Sequence, residues 1–300
     1  MNRTYADRCP GVLRPWIADD GAIVRLRLPG GVIATDALRA LVDIADEWAD
    51  GTILLTKRTN LQLRGIDHTS LKDGGGCVPA GLVDAITAAG LLPSPSHELV
   101  RNIMASPLTG RIGGRADLRQ VVVALDRGIR TDPALAGLTG RFLFVLDDGR
   151  GDLIDRDLDL GVVALSATEV QVRVGARIWG QVLPVNHAAE ALLDLARRFV
   201  DSRGTGADAP WHVDELPAGA ASLLETTGTR EQSTHVAGEP PHHGRLVQDD
   251  GLTCEHVGVD DGVLTRASAE PLLDRAATTI VVTPWRSVLL PDLEASPEEP

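Results

Sequence analysis

Apolar and polar residues alternate through 52–66, which predicts an extended strand with Ile53, Leu55, Leu61 and Leu63 on one face and Thr56, Arg58, Asn60, Gln62 and Arg64 on the other. At about 3.3 Å per residue the polar row would run about 26 Å, long enough to address several anionic groups of one large, flat ligand. Its two guanidiniums and two amides suit carboxylates. The same row also fits the solvated side of an amphipathic strand. A weaker copy of the segment returns at 279–293, so a duplicated half-domain is the leading reading.

Upstream, Ile23–Ile33 alternates in the same way, with Arg25 and Arg27 on one face and Val24, Leu26 and Leu28 on the other, until Gly30-Gly31 ends the strand. Thr35 is the predicted N-cap of a helix through about Ala49, with Leu38, Leu41, Val42, Ala45 and Trp48 at helical spacing. The later counterpart is a short strand at 262–264, a helix around Ser268–Ala277 and then the strand at 279–293. Between the repeats, helices are predicted at 116–129 and 188–202, with strands at 142–146, 161–166, 170–174 and 178–183. Residues 204–246 turn to Gly, Ala, Pro, Thr and His without a period and read as a linker. The expected domains are therefore 1–95, 96–203 and 247–300, with 204–246 as the connection.

Three hundred residues are enough for two or more cores. No apolar run is long enough to span a membrane, and Met1–Pro15 lacks the apolar centre of a signal peptide, so a cytoplasmic, membrane-free protein is expected. Three scattered cysteines do not make a secreted disulfide framework. A net charge of −13 argues against a nucleic-acid partner. Lys57 and Lys72 are the only lysines, so arginine carries almost all the positive charge. His235, His242, His243 and His256 near Cys254 fit no familiar tetrahedral metal spacing. The glycine-rich runs at 74–76 and 110–115 do not lead from a strand into a helix as a dinucleotide loop does. Neither a Ser–His–Asp set nor a carboxylate pair can be assigned by spacing, and catalytic residues stay unassigned.

Six stretches carry a resemblance: Arg25-Leu-Arg-Leu-Pro-Gly-Gly31, Leu55-Thr-Lys-Arg-Thr-Asn-Leu-Gln-Leu-Arg-Gly65, Arg101-Asn-Ile-Met-Ala-Ser-Pro-Leu-Thr-Gly110, Gly137-Leu-Thr-Gly-Arg-Phe-Leu-Phe144, Asp147-Asp-Gly-Arg-Gly151 and Thr283-Pro-Trp-Arg-Ser-Val-Leu289. Together they resemble the nitrite/sulfite reductase superfamily, and within it the precorrin-3B synthases of cobalamin biosynthesis. The resemblance implies an α+β fold: two ferredoxin-like half-domains with an intervening α+β sulfite-reductase-like domain. It implies a tetrapyrrole held by Arg25, Arg58, Arg101 and Arg141, with Asn102 in the Arg-Asn element and with Gln62 and Arg64 extending the Arg58 face. The four arginines are expected to converge on one basic surface.

Two departures qualify what the resemblance implies. Sirohaem-binding reductases carry a second basic residue two places beyond the Arg141 position, where this chain has Leu143. The family ligates a [4Fe–4S] cluster with Cys-x5-Cys followed by Cys-x3-Cys, which Cys9, Cys77 and Cys254 do not reproduce. The expectation is thus a precorrin-3B synthase-like oxidoreductase acting on precorrin-3A, truncated before the cluster domain and inactive alone, with no iron, sirohaem or cluster ligated by this chain by itself. The alternatives are a sirohaem-dependent nitrite or sulfite reductase, and a non-catalytic tetrapyrrole-binding relic or subunit whose partner chain supplies the cluster domain.

Overall fold

The computed structural model describes residues 8–70, 75–206 and 208–294. The amino-terminal part of the chain forms β1 (Trp16–Ala18), β2 (Gly21–Leu26), β3 (Val32–Ala34), α1 (Thr35–Trp48), β4 (Thr52–Leu55), β5 (Leu61–Ile66), β6 (Thr69–Ser70), β7 (Gly76–Cys77) and α2 (Ala80–Ala88). Next come β8 (Ile103–Ala105), α3 (Arg119–Thr131), β9 (Phe144–Asp147), β10 (Leu160–Ala164), β11 (Glu169–Val174), β12 (Ile178–Pro184) and α4 (Ala188–Arg203). The last elements are β13 (Gly244–Val247), β14 (Thr253–Gly258), β15 (Val263–Thr265), α5 (Arg266–Arg275), β16 (Thr279–Val282) and β17 (Ser287–Leu293). Among the described residues no helix is long and apolar enough to cross a membrane.

Contacts divide the chain into two units, one built from Pro10–Glu98 and the chain from Pro241 onward, the other from Leu99–Pro240. In the first, two antiparallel sheets have the same plan, β1-β2-β5-β4-β15 and β13-β14-β17-β16-β3. Each copy lends its third strand to the other: β15 pairs with β4 through Leu264 opposite Ile53, and β3 pairs with β16 through Ile33 opposite Ile280. The half-domains expected at 1–95 and 247–300 form one unit with one core, in which Leu38, Leu41 and Val42 of α1 pack with Leu272 and Leu273 of α5. Burying each such side chain contributes about 1.5–3 kcal/mol.

The segment 52–66 is not one strand. It turns back at 56–60, where Thr56 N–H donates to Asn60 O (2.9 Å) and Thr59 N–H to Thr56 O (3.0 Å). The second copy repeats both bonds, from Thr283 N–H to Ser287 O (2.9 Å) and from Arg286 N–H to Thr283 O (3.1 Å). A five-residue turn preserves parity, so the apolar residues at 53, 55, 61 and 63 alternate as they would in a continuous strand. The expected row of about 26 Å does not exist; Arg58 stands at a hairpin tip instead. The upstream strand also ends early, at Leu26. Thr35 is the first residue of α1, following Ala34, and its hydroxyl donates to Thr278 O (3.3 Å) without capping the helix.

In the second unit, parallel strands β8, β9 and β10 continue into antiparallel β11 and β12. Helices α3 and α4 share one core with that sheet, through Val121, Leu125, Leu192 and Phe199 with Ile103, Phe144 and Val162. Much of the expected linker belongs to this core, which takes in Val213, Leu216, Ala220 and Leu223. Its irregular backbone is held by side chains: Gln171 donates to Thr229 O (2.8 Å) and accepts from Glu231 N–H (2.9 Å), and Asp159 Oδ1 accepts from Val213 N–H (3.0 Å). Such bonds leave no periodic trace in sequence. The 1–7 part of the amino-terminal stretch, Gly74, and residues 295–300 lie outside the described residues.

Candidate anion-binding site

In the first unit, register places Arg25 of β2 directly opposite Gln62 of β5, and Arg25 Nη2 donates to Gln62 Oε1 at 3.0 Å. Their neighbours Val24, Leu26, Leu61 and Leu63 are core residues, so the polar pair faces away from that core. Asn60 is buried and fixes the base of the hairpin, its Oδ1 accepting from Leu28 N–H (2.9 Å). Half-buried Arg58 follows exposed Lys57 at the tip. Arg27 is buried and donates to Pro10 O and to Arg25 O, so it is a staple and not part of a ligand face. Arg64 donates to Asp20 at 2.9 and 3.1 Å as a half-exposed surface pair.

In the second unit, Arg101 Nε lies 2.6 Å from Asp126 Oδ1, and Arg130 reaches the other oxygen at 2.9 Å. That pairing ties Arg101 to α3. Asn102 is buried and donates to Leu99 O (3.0 Å) and Gly140 O (3.1 Å), fixing the turn before Arg141. Arg141 is exposed, with its guanidinium carbon 5.0 Å from the Trp211 ring centroid. Of the seven residues expected at a tetrapyrrole, the structure thus joins Arg25 with Gln62 and Asn102 with the Arg141 turn. It gives Arg64 and Arg101 to carboxylate partners of their own. The two sets belong to different units.

Sequence reasoning did not single out a buried acidic group beside β9. Asp147, Asp148 and Asp152 each place a carboxylate oxygen within 4.8 Å of the others. Asp147 accepts from Gly149, Gly151 and Leu153 N–H at 2.9–3.1 Å and so shapes the loop; burial nevertheless holds it above the usual carboxylate range. Asp148 is clasped by Arg150 (Nη2 to Oδ2, 2.7 Å). Asp152 accepts from Ser106 at 2.7 Å through Oδ1, while its buried Oδ2 has no hydrogen-bond partner. Burial first, and the charge of Asp147 second, push Asp152 up to about 7. The Asp-Asp-Gly-Arg-Gly-Asp run signals a turn; only the fold shows that the turn is buried.

Residues 18–73 match the model of the nitrite/sulfite reductase ferredoxin-like half domain. Over 105 residues it is 30% identical to the "Sulfite reductase [NADPH] hemoprotein beta-component" of Staphylococcus saprophyticus, covering 35% of this chain and 17% of the relative. Over 165 residues it is 25% identical to a ferredoxin–nitrite reductase of Leptolyngbya laminosa, covering 53% of this chain and 31% of that one. The structure of the Mycobacterium tuberculosis NirA protein shares the fold, with a TM-score of 0.69 at 17% identity over 96% of this chain and 59% of that one. The matches cover less than a third of either curated relative. These relatives are nitrite and sulfite reductases, and nothing in them singles out the precorrin-3B synthase branch expected from sequence.

Arg25, Arg58, Gln62 and Arg64 all lie within the residues that match the half-domain model, so the Arg25–Gln62 pair does too. The cysteines do not fit the family's cluster. Cys254 is buried within β14, Cys77 is exposed in β7 and Cys9 is part-exposed; among the described residues the cluster of potential metal ligands is the aspartate group and contains no thiol. Among the described residues the group of potential metal ligands includes no histidine. His256 is buried with Nδ1 on Pro241 O (2.9 Å) and Nε2 on Ser287 Oγ (2.7 Å), and the His243 ring meets it edge-on at 4.5 Å. Leu143, where a second basic residue was expected for sirohaem, is 4% exposed and packs with Met104, Val145, Leu153 and Leu158.

Proposed function

We propose that this chain binds a polycarboxylate tetrapyrrole of the sirohaem class, with Arg25 and Arg58 as carboxylate partners and Gln62 orienting Arg25. The observation that carries the reading is the Arg25–Gln62 pair, on the strand that follows the hairpin tip bearing Arg58, all inside the residues that match the half-domain model. A guanidinium has five N–H donors in a fixed fork, so a single amide contact can orient it towards a carboxylate. The haem-protein name of a curated relative supports a tetrapyrrole ligand. When bound, such a group supplies the redox chemistry, and the chain's own residues bind and orient it.

A precorrin-type ligand is the second reading, favoured by one observation. Buried Leu143 removes the second basic partner that the sirohaem resemblance calls for. The two readings share the same arginines and differ in the macrocycle.

Titration of the full chain with uroporphyrin III, a fluorescent octacarboxylate tetrapyrrole, tests the common part. Saturable binding that weakens with salt and is abolished by esterifying the carboxylates is the expected result. Equal affinity for the free acid and the ester would overturn it. Sirohaem and a precorrin-type macrocycle compared as competitors would then rank the two readings.

A further inference from the structure

The buried acidic group of the second unit has no part in the function proposed above. Asp147 ends β9 on the strand face opposite Phe144 and Leu146, which belong to the core shared with α3 and α4. Asp148 and Asp152 stand in the loop that follows, and all three carboxylates are buried within 4.8 Å of one another. Two of them are occupied by the protein itself. Asp147 accepts three backbone N–H groups, and Asp148 accepts the Arg150 guanidinium.

Asp152 differs. Its side chain is 1% exposed, Oδ1 accepts from Ser106, and Oδ2 has no hydrogen-bond partner. Arg150 Nε stands 3.9 Å from Oδ2, too far to donate. The orientation is fixed, because the Ser106 hydroxyl donates to Asp152 Oδ1 (2.7 Å) and accepts from Asp148 N–H (3.1 Å). Ser106 thus turns one Asp152 oxygen towards itself and leaves the other to the acidic group. A buried carboxylate oxygen without a donor is costly, and three carboxylates outnumber the one guanidinium that clasps them.

We propose that Asp147, Asp148 and Asp152 hold one hard divalent cation of calcium size, with Asp152 Oδ2 as its principal ligand. Oxygen donors alone suit Ca²⁺ and Mg²⁺, and among the described residues no histidine or cysteine joins the group as zinc would prefer. Opposed ligands around Ca²⁺ stand about 4.6–5.2 Å apart, so one such ion can touch all three carboxylates. Mg²⁺ gives up its water reluctantly, and a buried set of protein oxygens therefore favours Ca²⁺. The ion braces the end of β9 against its loop, a structural role that does not depend on the tetrapyrrole reading. Without calcium a proton serves instead, as burial pushes Asp152 up to about 7.

The test is calorimetric titration of the full chain with CaCl₂ at pH 8, after chelator treatment and in matched ionic strength. One saturable ion per chain is expected, with a melting temperature that rises with calcium and a response to MgCl₂ at least about 10-fold weaker in affinity. Asp152→Asn keeps the Ser106 contact and should weaken calcium binding at least about 10-fold, as should Asp148→Asn, whereas Asp201→Asn on the exposed side of α4 should not. Circular dichroism of each variant checks that it is folded. No saturable calcium binding by the unmodified chain overturns the proposal and leaves Asp152 as a proton holder only. Parent-like affinity in Asp152→Asn also overturns it, and assigns the calcium to the acidic surface.

Discussion

Arg25 and His256 occupy the same place in the two copies of the duplicated unit: Arg25 lies opposite Gln62 on β5, and His256 lies opposite Leu289 on β17. The copies share backbone, down to left-handed residues at equivalent turn positions, Thr59 (φ 57°) and Arg286 (φ 61°). They differ in chemistry. Where the first copy has Arg58, Gln62 and Arg64, the second has Trp285, Leu289 and Pro291. His256 turns inward to Ser287, which also meets Thr283 at 2.6 Å, so the second copy spends its polar groups on itself. One copy carries an arginine–amide pair at this place, and the other a buried histidine and leucine.

Arg25→Glu should therefore weaken uroporphyrin binding far more than Arg127→Glu on the exposed side of α3. The change replaces attraction by repulsion and costs about 2–5 kcal/mol if the contact is desolvated, much less if it stays wet. Fluorescence titration of both variants at low and high salt measures the difference. Equal affinities would make the pair a solvated strand face.

The duplication was legible because period-two alternation and the glycine turns recur in sequence. The hairpins were not, since parity survives a five-residue turn and Thr-Lys-Arg-Thr-Asn carries no glycine to mark the reversal. Strand exchange between copies is invisible to any local pattern, because β3 and β15 are three residues long and their partners lie over two hundred residues away. For the site, residue type pointed to arginines. It could not separate Arg25, which meets a neutral amide, from Arg64 and Arg101, which meet aspartates.

Asp152 predicts an unusual pH dependence. Its folded pKa of about 7 lies above the unfolded carboxylate value, so the folded chain holds a proton that the unfolded chain releases. Its contribution to stability is complete below about pH 4 and declines as pH rises to about 7. Asp152→Asn can keep the Ser106 contact without the charge and should raise stability at pH 8 by up to about 4 kcal/mol relative to the parent, with little gain at pH 4. Urea unfolding of both proteins across that range measures it. A gain of equal size at both ends would point to packing and not to charge.

His256 gives the opposite sign. Burial holds its folded pKa below the ordinary histidine value, and the facing groups include His242 and His243. The unfolded chain takes a proton that the folded chain refuses, so stability is complete above about pH 6.5 and falls as pH drops through that value. His256→Gln should lower stability at pH 7.5 by losing the Ser287 and backbone bonds, yet lose less than the parent on going to pH 5.5. Parallel curves for parent and variant would show that His256 does not titrate in this range.

Gly31 and Gly262 are the equivalent glycines of the two copies, with φ of 74° and 70°, yet alanine should not cost the same at each. A Cβ on Gly31 would stand 2.3 Å from Val282 O, a backbone atom of the opposite copy within the exchanged sheet. A Cβ on Gly262 would meet the Arg286 side chain first, at 2.8 Å from its Cβ. Both variants carry the left-handed penalty of about 1–2 kcal/mol. Gly31→Ala must in addition push the β3–β16 pairing apart, whereas the longer atoms of Arg286 can swing away and only its Cβ resists. Gly31→Ala should thus cost about 1–3 kcal/mol more than Gly262→Ala in urea unfolding. Equal losses at the two positions would mean that the exchanged strand yields without resistance, and that the close approach of the two copies contributes little to holding the half-domains together.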